Sequence, residues 1–292
     1  MKKRKKIEFF DIVVHIITAF LVVIVLYPLI LVLSNSISDP GLVASGQVLL
    51  LPKGINFEGY KAIFQSKDIM TGYANTIFYT VFGTIINLLV TVPAGYALTK
   101  STLPGKTFFV TLFMITMYFS GGMIPTFLLV QSLGLYNTRW VLLILGAFST
   151  YNCIICRSFF SAMPKELEEA AEIDGCSPMG TFVKIVLPLS KALLGVMVLY
   201  FAVGHWNSYF NAMIYIKEDK MQPLQVFLRR ILILAQSAIK MEGSEEFAQS
   251  MADREALLRY STIVVSSLPL LIIYPFLQKY FDKGVMIGSV KG

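Results

Sequence analysis

Charged residues are scarce in this chain: Asp, Glu, Lys and Arg make up 15% of its 292 residues, against roughly a quarter in soluble domains. With 55% hydrophobic residues and a mean hydropathy of +0.67, the chain belongs in a bilayer. The formal net charge of +7 does not point to nucleic acid, which requires a basic face with folded polar surroundings; here the charges lie between apolar runs. Cysteine is equally sparse. Cys153, Cys156 and Cys176 are too few for a disulfide framework, and Cys153-x-x-Cys156 sits inside an apolar run, which reads as packing rather than redox or metal chemistry. The only histidines, His15 and His205, cannot make a zinc cluster, which usually takes about four close ligands.

Long apolar runs are what the chain has in abundance. A bilayer core needs about 20 apolar residues of helix, and six runs meet or approach that length: 12–33, 73–98, 107–130, 140–160, 192–215 and 260–278. Backbone amides in such runs must be bonded internally, so helices are the expected form. The expected fold class is therefore all-α, a polytopic membrane protein with six transmembrane helices. The fourth run is the weakest, because Arg157 falls inside it and must snorkel to the headgroups. The shorter run 226–239 starts with Arg229 and Arg230 nearby and reads as an interfacial or extramembrane helix, with a re-entrant segment as the alternative.

Five basic residues among the first six place the N-terminus in the cytoplasm, since cytoplasmic loops are enriched in Lys and Arg. The apolar run that follows is longer than a signal-peptide core and is read as a retained anchor. Six spans return the C-terminus to the cytoplasm. The expected organisation is a basic N-terminus at 1–11, a first transmembrane helix at 12–33, a core at 73–281 with a cytoplasmic loop 164–188 and an external loop 216–259, and a cytoplasmic tail at 282–292. The external loop carries seven Lys and Arg, but long loops translocate largely regardless of charge.

Polar residues inside the runs need a reason, because in lipid they must pair or face water. Asn75, Thr76, Thr80, Thr84 and Asn87 recur at helical spacing and dress one face of the second span. Interhelical hydrogen bonding is the favoured explanation of that face, and a wet cavity is the alternative. Gly121, Gly122 and Pro125 should interrupt the third span, either as a packing kink or beside a cavity. His205, Trp206, Asn207, Tyr209 and Asn211 cluster at the outer end of the fifth span. That cluster fits an aromatic belt and also a sugar-recognising wall, with rings for apolar contact and amides for hydroxyls. Asn75, Asn152, Trp206, Asn207, Tyr209 and Asn211 are the candidate solute-path residues.

Between the fourth and fifth spans the chain reads Pro164-Lys-Glu-Leu-Glu-Glu-Ala-Ala-Glu-Ile-Asp-Gly175-Cys-Ser-Pro178. Pro164 suits a helix start, Gly175 a helix stop, and Ser177-Pro178 a second start. Ala170 and Ala171 allow close approach, and the acidic residues contradict the basic content expected of a cytoplasmic loop. Such an elbow reads as a docking element.

Glu169-Ala170-Ala171, Gly175, Ile185, Leu187 and Pro188 reproduce the E-A-A, three residues, G, nine residues, I-x-L-P signature. On that basis the chain resembles the permeases of ATP-binding-cassette importers. Trp206-Asn207-x-Tyr209, Asn75-Thr76, Pro223-Leu224-Gln225 and the ending from Pro275 to Gly292 narrow the resemblance to carbohydrate-uptake permeases of the maltose-transporter type, in their oligosaccharide and polysaccharide-fragment branch. The resemblance implies the type I importer transmembrane fold, in which the elbow is a cytoplasmic coupling helix seated in a groove of an ATPase. It implies as partners a second homologous permease, two ATP-binding-cassette ATPase subunits or domains, an extracytoplasmic solute-binding protein, an oligosaccharide substrate and membrane lipid. It also implies the cytoplasmic (inner) membrane as location and no cofactor in this chain, ATP and magnesium being held by the ATPases.

A Walker A loop is missing. Gly105-Lys106-Thr107 imitates its end, but Lys100 stands where the first glycine is required, so the chain is not expected to be an enzyme. An ion-coupled secondary transporter is the rival reading, but such proteins use intramembrane carboxylates and none falls in the six runs. A membrane hydrolase would need a nucleophile and base at depth, and neither a Ser, His and Asp set nor paired carboxylates appear.

Overall fold

The computed structural model describes residues 9–238 and 245–289, and among them every regular element is helical. In chain order these are α1 (Phe9–Ser36), α2 (Pro40–Ala44), α3 (Glu58–Gln65), α4 (Lys67–Ala97), α5 (Lys106–Tyr118), α6 (Met123–Ser132), α7 (Arg139–Ile144) and α8 (Thr150–Ser161). They continue with α9 (Glu166–Ile173), α10 (Pro178–Thr181), a π-helical turn (Phe182–Val186), α11 (Leu187–Leu189), α12 (Lys191–Trp206), α13 (Phe210–Tyr215), α14 (Leu224–Ala238) and α15 (Glu245–Ser289). Most of the basic N-terminal cap, residues 1–8, and the last three residues of the expected tail lie outside the described residues.

Among the described residues, three helices are long and apolar enough to cross a membrane: Phe9–Ser36, Lys67–Ala97 and Glu255–Pro275 within α15. The other runs are broken. The third becomes α5 and α6, bent by 116°, and the break falls where the glycines predict it: Gly122 has φ +84°, a conformation that favours glycine. The fourth, expected as one helix, is two short helices separated at residues 145–149. Ser149 restarts α8 as its cap, its Oγ accepting from Asn152 N at 3.3 Å. The fifth, also expected to be continuous, ends α12 at Trp206 and resumes at Phe210. Asn207 marks that break by turning its amide back to Val203 O at 3.0 Å. Residues 245–259 of the expected loop and 282–289 of the expected tail are helical parts of α15.

The chain divides into two compact units. The first comprises residues 1–67 and 228–268. Within it Gly59 of α3 lies against α15, where a Cβ would fall 2.5 Å from Leu257 O, and Ser261 Oγ donates to Ser36 O at 3.2 Å. The side chains of α1 between Phe9 and Leu29 are exposed, as befits a helix that meets lipid.

The second unit comprises residues 68–227 and 269–292 and carries both expected sites. One buried cluster gathers Tyr79, Val130, Val141, Leu143, Ala212 and Tyr215. Another gathers Val92, Tyr96, Cys156, Phe160, Phe182, Val186 and Met197. Cys153 and Cys156 are free and buried. They serve as small packing residues: a Cβ on Gly95 of α4 would fall 2.5 Å from Cys156 Cβ and 3.0 Å from Cys153 O, so α4 and α8 touch nearly backbone to backbone.

Candidate coupling elbow and solute path

The polar face of α4 has a definite use. Broken helices leave backbone groups without helical partners, and away from water these must be satisfied elsewhere. Asn75 Nδ2 donates to Lys220 O at 2.8 Å and Gln222 O at 2.9 Å, and Tyr79 Oη donates to Met221 O at 2.8 Å. Thr76 Oγ1 accepts from Leu224 N at 2.8 Å. Further along the helix, Asn87 Nδ2 donates to Gly146 O, in the break between α7 and α8, and Thr91 Oγ1 accepts from Ser149 N at 3.5 Å. The stripe is thus a ladder of side chains that closes the open ends of irregular segments. Thr80 and Thr84 Oγ1 alone on this face are buried with no hydrogen-bond partner among the described residues.

Asn75 Oδ1 also accepts from Arg139 Nη2 at 2.9 Å, and the Arg139 guanidinium lies 5.1 Å from the centre of the Phe78 ring. Every polar atom of the Asn75 side chain is therefore engaged within the chain, and the residue is buried. Asn152 is buried as well. Trp206, at 3% exposure, sets its ring at 65° to that of Tyr73 with centroids 6.1 Å apart. It borders an apolar cavity of about 390 Å³ together with Ile77, Thr80, Leu199, Pro269 and Tyr274. Asn207, Tyr209 and Asn211 are exposed. The six expected solute-path residues thus separate into three held inside the chain and three at the surface.

The elbow has the expected form. Lys165 rather than Pro164 occupies the cap position of α9, and Pro164 lies just outside the helix. Gly175 stops it with φ +77°, and Ser177 caps α10 by accepting Gly180 N at 3.1 Å, with Pro178 at its first turn. Ala171 is buried while Glu169 and Ala170 are exposed, so the two alanines face opposite ways, one toward the chain's own packing and one outward. Ile173 (87% exposed), Met179 and Val183 are further exposed apolar side chains of the elbow.

Past the elbow, Leu187 N bonds to Phe182 O, five residues back. This π-turn precedes Pro188, which has no N–H to offer the preceding helix and so favours a local change of register. Of the remaining signature residues, Leu187 packs against the second buried cluster, Ile185 is half-buried and Pro188 exposed. At Ser190, which donates Oγ to Val186 O at 2.7 Å, the elbow turns into α12 through 83°.

Sequence reasoning missed the attachment of α9. Lys100, just past α4, forms an ion pair with Glu168 of α9 and lies 4.1 Å from the centre of the Tyr96 ring. Burial works against the Lys100 charge, but the adjoining Glu168 carboxylate and Tyr96 hydroxyl outweigh it and raise its pKa above the usual lysine value, so it stays cationic at neutral pH. The sequence hinted at it only in that both residues fall on the expected cytoplasmic side, and 68 residues separate the partners. Among the described residues no group of three or more His, Cys, Asp and Glu could hold a metal ion.

Residues 69–287 match the family of binding-protein-dependent transport system inner membrane components. The chain belongs to this family. Among the curated relatives of this inner membrane component, Protein LplC of Bacillus subtilis is 39% identical over 92% of this chain and 90% of its own length. The polygalacturonan/rhamnogalacturonan transport system permease protein YtcP of the same organism is 37% identical over 98% of this chain and 100% of its own. Among solved structures, a bacterial ABC transporter involved in the import of the acidic polysaccharide alginate contains a chain that matches with a TM-score of 0.83 and 37% identity, over 93% of this chain and 96% of that one. The fold is that of a type I importer permease.

Proposed function

We propose that this chain is one of two homologous permease subunits of an ATP-binding-cassette importer in the cytoplasmic membrane. It takes up oligosaccharide handed over by an extracytoplasmic solute-binding protein. Two ATPase subunits or domains supply the ATP and magnesium chemistry, and the chain holds no cofactor of its own. Both termini are cytoplasmic and the chain crosses six times, the α7–α8 pair forming the fourth crossing. The expected core at 73–281 is retained in this reading, its coupling loop at 164–188 facing the cytoplasm.

The observation that carries this reading is the outward surface of the elbow. A short helix presents Glu169 and Ala170, with Ile173, Met179 and Val183 exposed elsewhere on the elbow, and is stopped by a glycine in the left-handed region. Such a compact apolar and acidic knob suits a groove in a partner. Saccharide is supported by the polysaccharides in the names of YtcP and of the solved alginate importer.

The test is uptake of labelled neutral and uronate-containing oligosaccharides into proteoliposomes carrying the complete complex and its binding protein. ATP-dependent uptake of at least one of them is expected. Uptake that needs an ion gradient and no ATP would favour the secondary-transporter reading instead.

A further inference from the structure

We propose that Lys100 is a positioning residue that makes the elbow a two-point lever on α4, so that movement of the docked ATPase displaces α4 rather than swinging the elbow about its far end. The inference rests on the reading of the elbow as the ATPase-docking element. Its ground is a convergence on one ring. The far end of the elbow, the π-turn, enters the second buried cluster through Phe182, which stacks on Tyr96 with centroids 4.8 Å apart and planes at 27°. Tyr96 also meets Phe160 edge-on at 5.5 Å. The near end, α9, reaches the same tyrosine through Lys100: Glu168 pairs with Lys100, and the Lys100 ammonium lies 4.1 Å from the Tyr96 centroid, a cation–π distance.

A helix attached at one end pivots, whereas a helix attached at both ends carries its attachment point along. Without Lys100, α9 loses its ion pair to the end of α4 and keeps its packing through Ala171 and its covalent continuity. With Lys100, both ends of the elbow bear on the last turn of α4. That helix holds the open ends of the broken spans through Asn75, Asn87 and Thr91, so its displacement reaches the irregular segments around Gly146 and Gln222. The ion pair is about one-third exposed on each side, so its removal should alter an equilibrium without unfolding the subunit.

The experiment uses the permeases and ATPases as an intact complex in nanodiscs, with spin labels introduced as unnatural amino acids at Val81 of α4 and Leu112 of α5. Both positions are exposed and apolar. Distances are recorded without nucleotide and with ATP, magnesium and vanadate. In the unsubstituted complex trapping should shift the distance. In Lys100→Met and Glu168→Gln the ATPases should remain bound, while the shifted population falls by up to about fivefold, the ratio that corresponds to about 1 kcal/mol. Lys100→Arg and the exchange Lys100→Glu with Glu168→Lys should restore it, which a merely stabilising side chain would not require. A full shift in Lys100→Met, no shift in the unsubstituted complex, or an exchange that restores nothing would overturn the proposal. Ala170→Trp serves as the separate control: if it retains ATPase at the unsubstituted level, the docking reading itself falls, whatever Lys100 does.

Discussion

Asn87 Oδ1 lies 2.7 Å from His205 Nε2, joining α4 to α12 at the level where the chain between α7 and α8 is irregular. Because the amide nitrogen of Asn87 is given to the Gly146 carbonyl, its oxygen is the atom facing the imidazole, and His205 must therefore carry its proton on Nε2. Gly83 leaves room for the ring, since a Cβ there would overlap it. Replacing Asn87 with Leu strands both a carbonyl and an imidazole N–H in a buried setting, which costs about 1 to 3 kcal/mol for each such group. Thermal unfolding of the purified complex in nanodiscs should show the loss. A transition unchanged from the parent's would mean that this bridge does not hold the break.

Gly95 should tolerate no side chain. Gly95→Ala places a methyl against Cys156 Cβ, Cys153 O and Arg157 N, and overpacking of this kind costs about 1 to 3 kcal/mol. Adding Cys156→Gly should recover only part of the stability, because the two backbone atoms stay where they are. Complete recovery in the double variant would place the strain in the side chain alone.

The two alanines of the signature should behave differently. Ala170→Trp alters an exposed surface and should leave the permease's own unfolding unchanged while lowering ATPase retention by about tenfold, equivalent to about 1.4 kcal/mol. Ala171→Trp fills a buried position, at 3% exposure, and should destabilise the permease itself. Gly175→Val acts through its backbone: nothing lies near a Cβ there, but φ is +77°, costing roughly 1 to 2 kcal/mol, whereas Gly175→Asn should be milder. Co-purification of the ATPase, compared with the melting of the permease, separates these outcomes.

At the C-terminal end of α12 the expected cluster divides by burial. Trp206→Ala should cost about 3 to 5 kcal/mol, as for other buried large aromatics, so any loss of uptake will accompany a loss of stability. Tyr209→Ala and Asn211→Ala remove exposed side chains and should lower uptake without changing the melting temperature. Should both retain full uptake, the surface they form lies outside the solute path.

How much of this was legible from the sequence follows from the range of each interaction. The elbow was readable because its determinants are local: a glycine for a left-handed stop, Ser-Pro for a start, and alanines for close approach act within a dozen residues. The break in the third span was readable for the same reason. The breaks near Gly146 and Asn207 were not, since hydropathy counts apolar residues and is blind to which backbone groups a distant side chain will satisfy. Asn75 reads from the sequence first as a structural bond, with a solute ligand as the alternative. Its partners at residues 139, 220 and 222 come from other parts of the chain, and only their convergence shows that its polar atoms are engaged. Lys100 is the extreme case: an ordinary basic residue beside a membrane span in the sequence, it becomes the second attachment of the elbow only when folding brings Glu168 and the Tyr96 ring to it. The sequence determined the apolar helices, the elbow and the family. Tertiary packing decided which polar side chains close the broken helices and which of the two alanines faces outward, because both depend on contacts between residues that the chain itself keeps far apart.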